Sequence, residues 1–328
     1  MSDNTHAFPN DEPPEIQVHS HDRYHAVMNR CAALPPLVTA VVHPVDEFII
    51  TSVAHAALEN LIIPVLVGPV ARIMNAAAKA GIDITAWKII DAKHSNEAAE
   101  KAVALTVKGA TQAIMKGSLH TDELLHPIVS PDSGLHTGRR FSHSYVIDTA
   151  SYHKWLIITD AVVNIAPDLG IKADICRNAL DVWHALSNET RLPKIAVLAA
   201  VEIINQKMQA TLDAAALCKM AERRQITGCI IDGPLAFDNA ISKDAAAEKG
   251  IVSAVAGDPD ILVAPDIEAG NILAKQLTFL NHADAAGIVM GASVPIILTS
   301  RADTLRIHLL SCALAVLVAQ ARQENRIQ

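Results

Sequence analysis

VTAVVHPVDEFIITSVAHAALENLIIPVLVGP, residues 38–69, is the stretch whose reading decides the fold. Its two short runs, Val38-Thr-Ala-Val-Val42 and Ile62-Ile-Pro-Val-Leu-Val67, are apolar at successive positions rather than alternate ones. A strand of that kind is buried on both faces, which is the condition of a parallel sheet covered by helices on each side. Between the runs, Glu47 to Asn60 reads as a helix, and Gly68-Pro69 ends the second strand. The same rhythm spreads outward. Trp87-Lys-Ile-Ile90 and Ala113-Ile-Met-Lys116 are further strands, separated by an Ala-rich helix from Asn96 to Lys108. It resumes in Trp155-Leu-Ile-Ile-Thr159, Ile195-Ala-Val-Leu198, Gly228-Cys-Ile-Ile-Asp232, Ile261-Leu-Val-Ala264, Gly287-Ile-Val-Met290 and Pro295-Ile-Ile-Leu-Thr299. Strands alternating with helices of that length predict an α/β fold with a mostly parallel sheet.

The chain has 328 residues, enough for about two domains at the usual domain size. Hydrophobic residues make up 51%, charged residues 19% and aromatics 3%, so the apolar content is aliphatic and a disordered chain is excluded. Mean hydropathy is +0.25, yet the longest apolar run, around Ala313–Ala319, falls short of the roughly 20 residues of a bilayer span. No membrane segment is expected. A net charge of −8, with cations dispersed, disfavours nucleic acid as a partner but leaves a small anion open. Five scattered cysteines without a CxxC pair read as reduced thiols, and the absence of a secretory pattern at the N-terminus makes the cytoplasm the expected location. Residues 1–22, polar and Pro-rich, are expected to form a flexible arm. The segment between Lys116 and Tyr145, dense in Gly, Ser, His and Pro, reads as a boundary or site-lining loop.

Open α/β sheets bind ligands at the carboxyl ends of strands, so the polar residues there carry the chemistry. Lys116-Gly117-Ser118-Leu119-His120-Thr121 offers a cation, exposed N–H groups and hydroxyls in one turn, which suits an anion; an ordinary capping turn with a solvated Lys has the same composition. Ser300-Arg301-Ala302-Asp303 follows the last strand, and a guanidinium at a helix start is a strong clamp for an oxyanion, although Ser there is also a common cap. Asp232 and Asp238, and Asp266 with Asn271, lie at two further strand ends, as acid/base groups or as turn residues. Arg139-Arg140 is the densest internal cation pair: a solvated loop or a site for a phosphorylated ligand. No dinucleotide, P-loop, zincin or nucleophile-elbow pattern occurs, and the histidine clusters lack matching metal ligands, so no metal is expected.

Taken together, Asp232-Gly-Pro-Leu, Pro265-Asp-Ile-Glu-Ala-Gly-Asn271, Thr299-Ser-Arg-Ala-Asp303, Met115-Lys-Gly with the following His-Thr, and Ile158-Thr-Asp-Ala161 with Asn164 and Pro167-Asp168 resemble the phosphate acetyltransferase/phosphate butyryltransferase family. The wording is closer to the butyryltransferase branch and to the acyltransferase half of fusions with an enoyl-CoA hydratase. The resemblance runs over about residues 25–320. It implies two open, mostly parallel-sheet domains like those of isocitrate and isopropylmalate dehydrogenases, with the active site in the cleft between them. It places domain I at residues 23–147 plus 294–328 and domain II at 148–293. It implies a homodimer, acyl-CoA and inorganic phosphate as substrates, no bound cofactor, and the reversible reaction acyl-CoA plus phosphate to acyl phosphate plus CoA.

By the same resemblance Ser300, Arg301 and Asp303 are the expected catalytic residues, with Ser300 bonding the reacting group and Arg301 binding phosphate. Lys116, Gly117, Ser118, His120, Thr121, Arg139, Arg140, Asp266 and Asn271 are the expected phosphate and CoA contacts. Two departures stand out. Arg306-Ile307 occupies the place of the acetyltransferases' proposed Asp base, which leaves Asp303 for that role, and His126-Pro127 stands where those enzymes have an Arg before Pro. A metal- and NAD-dependent decarboxylating dehydrogenase on the same fold, or a non-catalytic CoA-binding paralogue, are the alternative readings.

Overall fold

The computed structural model describes residues 23–300 and 302–328; the expected arm at 1–22 and the expected phosphate ligand Arg301 lie outside the described residues. The chain runs α1 (Arg23–Ala32), β1 (Leu37–Val42), α2 (Glu47–Leu58), β2 (Ile62–Gly68), α3 (Val70–Ala80), β3 (Lys88–Asp91), α4 (Ser95–Val107), β4 (Ala113–Lys116) and α5 (Thr121–Val129). It continues with β5 (Ser142–Asp148), β6 (Leu156–Thr159), α6 (Leu169–Leu186), β7 (Lys194–Leu198), α7 (Gln209–Glu222) and β8 (Ile230–Leu235). The short helices α8 (Phe237–Ile241) and α9 (Lys243–Glu248) follow, then β9 (Ile261–Val263), α10 (Ile267–Leu280), β10 (Asp284–Met290), β11 (Ile296–Ile297) and α11 (Leu305–Gln323).

These strands form one 11-stranded sheet in the order β3-β2-β1-β4-β11-β10-β5-β6-β9-β7-β8. Each wing is parallel: β3, β2, β1, β4 and β11 on one side, β6, β9, β7 and β8 on the other. The centre is antiparallel, because β10 pairs with both β11 and β5, and β5 with β6. The successive apolar residues of β1, β4, β6 and β9 are almost all buried, as two-sided coverage requires.

β5 begins inside the segment read as an irregular loop, between Lys116 and Tyr145, and runs on to Asp148. Its sequence, Ser-His-Ser-Tyr, hides a strand in which Ser142, His143 and Ser144 are fully buried. Burial of such groups is tolerated where partners exist, and here Asn178 Nδ2 donates to Ser142 Oγ at 2.8 Å while the Asp160 carboxylate accepts the His143 N–H at 3.2 Å. The helix α11 is long and apolar enough to cross a membrane by length and composition, but 72% of its apolar window is buried inside the fold. It packs against β10, α6 and α1, which explains an apolar surface on nearly every side.

An ionic cluster ties the amino ends of β6, β9 and β7 in the second wing. Asp258 accepts from Lys194 at 2.6 Å and Lys154 at 3.0 Å, and Asp260 from Arg191 at 2.7 Å. Burial pushes the Asp258 carboxyl up, but the two lysines outweigh it and hold the group at about 2, below its ordinary 3.8. A depressed folded-state value means that the contribution is complete above 3.8 and is lost as pH falls through 2. After allowance for solvent screening, Asp258→Asn is expected to cost about 1 kcal/mol at pH 7. Urea titrations at pH 7 and pH 2.5 check this: the deficit should shrink at the lower pH, and a constant deficit contradicts the assignment.

Candidate active site

The carboxyl ends of β4 and β11 open into a cavity of about 280 Å³, lined by Lys116, Leu119, His120, Thr121, Tyr145, Val162, Asn271, Lys275, Leu298, Thr299 and Ser300. Five separate parts of the fold meet there: the β4–α5 turn, the residues after β11, strand β5, the loop after β6 and helix α10. Lys116, only 5% exposed, is the last residue of β4, and its parallel neighbour β11 leads directly into Leu298, Thr299 and Ser300.

Glycine makes both approaches possible. A Cβ on Gly117 would lie 2.2 Å from the Val42 carbonyl oxygen, so the turn after Lys116 can press on β1 only because no side chain is there. A Cβ on Gly287 would lie 2.2 Å from the Leu298 carbonyl oxygen, which is how β10 lets the Ser300 segment settle against it.

Hydrogen bonds then fix the turns. Gly117 and Ser118 donate N–H groups to Val42 and His43 carbonyls, each at 2.9 Å, and the Ser118 hydroxyl donates to Asp46. Glu123 accepts the His120 N–H at 2.8 Å and the Ser95 hydroxyl at 2.7 Å, anchoring the start of α5. The Asp303 carboxylate accepts the Ser300 N–H at 2.6 Å. Burial raises the Asp303 carboxyl above its ordinary value, against the opposing pull of the Ser300 N–H and of the Lys116 and Lys275 charges. Asp160 accepts N–H groups from Val162, Val163 and Asn164, and Asn271 Nδ2 donates to the Ala161 carbonyl at 3.0 Å, so the loop carrying Val162 is pinned from both sides.

Of the residues expected from sequence, Lys116, His120, Thr121, Asn271 and Ser300 come together in the cavity lining. Gly117, Ser118 and Asp303 shape its turns rather than line it, and Asp266 is the cap of α10, accepting the Ala269 N–H at 2.9 Å. Arg139 and Arg140 are elsewhere. Arg139 pairs with Asp181 of α6 at 2.6 Å, and exposed Arg140 has its backbone N–H on Asp174 and its carbonyl on Asn178. The sequence signal, two adjacent cations in a polar loop, did not reveal that α6 pairs the Arg139 side chain and holds the Arg140 backbone.

Sequence reasoning missed Tyr145, Val162, Lys275 and Leu298 as cavity lining, since none stands in a motif. It also missed His308, buried next to the cavity residue Thr299 with Nδ1 3.5 Å from Thr299 Oγ1 and Nε2 without a hydrogen-bond partner among the described residues. Burial holds this imidazole down at about 4, with the Ser300 backbone opposing and the Lys116 charge adding to the effect.

A larger cavity of about 790 Å³ lies between α1, α6 and α11. Its cations are committed to the end of α6: Arg30 donates to the Ala185 carbonyl at 3.1 Å and Arg326 to the His184 carbonyl at 2.8 Å. Cations at a helix C-terminus answer the helix dipole, which makes this a capping arrangement.

The dehydrogenase reading asks for several carboxylates at the cleft. The described lining of the 280 Å³ cavity contains none.

Residues 96–316 match the family described as "Phosphate acetyl/butaryl transferase". A phosphate acetyltransferase of Rhizobium meliloti is 52% identical over 305 residues, spanning 93% of this chain and 96% of that one. A phosphate butyryltransferase of Clostridium acetobutylicum is 41% identical over 84% of this chain and 90% of its own. Among solved structures, a branched-chain phosphotransacylase from Enterococcus faecalis V583 superposes with a TM-score of 0.74 at 28% identity, over 86% of this chain and 99% of that one.

Proposed function

The chain belongs to the phosphate acetyl/butyryl transferase family and carries out the reversible transfer of an acetyl or short-chain acyl group between CoA and inorganic phosphate; from that premise we propose that the cavity at Lys116 and Ser300 is where the transfer occurs. The observation that carries this reading is the convergence, from separate parts of the fold, of a buried ammonium, a hydroxyl, an amide side chain and the first turn of α5 on one small space.

The reaction has two electrostatic demands. A thiol of pKa about 8.5 is mostly protonated at neutral pH, so forming the thiolate needs a base or a positive field. The tetrahedral intermediate and the phosphate both carry negative charge, which preorganised donors stabilise better than water does. In this assignment Lys116 and the N–H groups at the start of α5 hold the phosphate, joined by Arg301 as the family resemblance implies. Ser300 donates to the reacting group. Asp303, outside the cavity lining, accepts the Ser300 N–H and so holds Ser300 in place, while the Lys116 charge supplies the positive field that favours the thiolate. Lys275 at the rim and Asn271 meet the CoA side of the substrate. Holding the two substrates in line supplies a further 7–11 kcal/mol or so of barrier reduction.

We assign residues 23–147 plus 294–328 and residues 148–293 to two domains that close on this cavity, consistent with the two parallel wings and their antiparallel centre. We also assign a homodimer working in the cytoplasm, for which the exposed Ile272, Phe279 and Leu280 of α10 offer apolar surface.

Ser300→Ala tests the site. Removing one preorganised donor is expected to lower kcat about 10²-fold, with the fold intact by circular dichroism. Release of CoA thiol from acetyl-CoA in phosphate buffer is the readout, and a variant with full turnover moves the site elsewhere.

A further inference from the structure

We propose that Tyr145 sets the length of the acyl chain this enzyme accepts, its ring stopping the acyl slot beyond acetyl and propionyl groups. The inference rests on the cavity being the site of transfer, and it deepens that reading by naming what limits the substrate.

The lining divides by chemistry. Lys116, His120, Thr121, Thr299 and Ser300 face the charged end of the reaction, whereas Leu119, Val162, Leu298 and Tyr145 are the surfaces on which a hydrocarbon chain can rest. Leu119, at 1% exposure, presents almost no surface. Tyr145 is the largest of the four, and it stands on the central strand rather than on a loop. Its backbone is locked on both sides, paired with Gly287 of β10 and Ile158 of β6.

The ring has nowhere to retreat. It meets the His143 ring edge to face, with centroids 4.4 Å apart, and His143 is itself fully buried. His143 Nε2 lies 3.5 Å from the Leu298 carbonyl and would be 3.0 Å from a Cβ placed on Gly287. His143 thus flanks the ring on the same face of β5, and Tyr145 itself belongs to a buried apolar cluster, so packing confines the ring. A closed interior of this kind responds to extra methylenes by strain rather than by yielding.

The phenol is 9% exposed, and its hydroxyl makes no hydrogen bond among the described residues. Burial, with the Asp303 charge adding, raises its pKa and keeps it a neutral phenol. Neither fact gives the hydroxyl a structural duty. The bulk of the ring is what the cavity feels.

The test is the ratio of kcat/KM for butyryl-CoA to that for acetyl-CoA, measured with phosphate in excess. The wild-type enzyme should show a sharp fall between propionyl-CoA and butyryl-CoA, of at least about tenfold. Tyr145→Ala should raise the butyryl-to-acetyl ratio at least about tenfold, and Tyr145→Val, kept in hand should the Ala variant fail to fold, should raise it less. Tyr145→Phe, which removes only the hydroxyl, should keep the ratio within about threefold. Flat rates across the acyl series in the wild-type enzyme overturn the proposal without any variant. So does an unmoved ratio in Tyr145→Ala or Tyr145→Val. Ser300→Ala, assayed beside them, separates the two levels. If it is inactive while the ratio stays fixed, Tyr145 alone has been misassigned; if it is fully active, the site itself has been.

Discussion

Lys116→Met is expected to lower kcat/KM for phosphate by about 10³-fold while leaving the melting temperature within a few degrees of wild type. The ammonium is 5% exposed at the end of β4, so it interacts through protein more than through water. A unit charge 4 Å from it, at an effective dielectric of 20, gains about 4 kcal/mol, and 1.36 kcal/mol is a factor of ten in rate. Phosphate and the tetrahedral oxyanion both stand to lose that attraction. Stability is expected to change little, because two effects oppose: removing the buried charge relieves desolvation, and it forfeits the attraction between Lys116 and the Asp303 carboxylate. Lys116→Arg is not expected to rescue turnover, because a planar guanidinium fork places its donors differently from a compact ammonium. Steady-state kinetics with varied phosphate and a thermal melt decide the matter. Turnover within threefold of wild type removes Lys116 from the anion site, and a melting temperature lowered by ten degrees makes its role structural.

What could be read without coordinates follows from which interactions are local. Apolar runs such as Val38 to Val42 report burial on both faces by themselves, and a strand end such as Lys116-Gly117 announces its turn. β5 could not be read that way. Ser142 and His143 look like loop residues until Asn178 of α6 donates to the Ser142 hydroxyl and Asp160 accepts the His143 backbone N–H, from 36 and 17 positions away. Arg139 failed for the converse reason: a cation pair shows charge, but the carboxylate that occupies it, Asp181, is 42 positions on. The same limit hid Tyr145 and Lys275. Their place in the cavity depends on the register of β5 against β10 and on how α10 crosses the sheet, and neither is encoded at their own positions. Ser300 was legible because a hydroxyl following a strand is a local pattern, and the strand led where such strands lead.

Acid should unfold this protein through its histidines before its carboxylates. His143 and His308 are both buried, and burial depresses each from 6.5 to about 4, with Asp160 opposing at His143 and the Lys116 charge reinforcing the shift at His308. A base held neutral in the folded state takes up its proton only in the unfolded chain over this window. The unfolded state therefore binds more protons between pH 6.5 and 4, and stability falls as pH falls, with a ceiling of about 3 kcal/mol apiece. His184 adds in the same direction. Asp181 and Asp303 act in the opposite sense: their raised values make the folded state the stronger proton acceptor above 3.8, so as pH falls they offset part of the histidine loss, and their contribution is complete at 3.8. Set against a typical total of 5–15 kcal/mol, a loss of about 5 kcal/mol is enough to bring the fold to its midpoint or close to it. Urea titrations at pH 7, 5.5 and 4.5 should show this steady decline. His308→Gln, which cannot take up a proton, should flatten the slope by about half even if its stability at pH 7 is lower. A free energy of unfolding that is level from pH 7 to 4.5 would mean that both imidazoles reach solvent or change partners, and the Tyr145 ring would then lose the buried neighbour that flanks it.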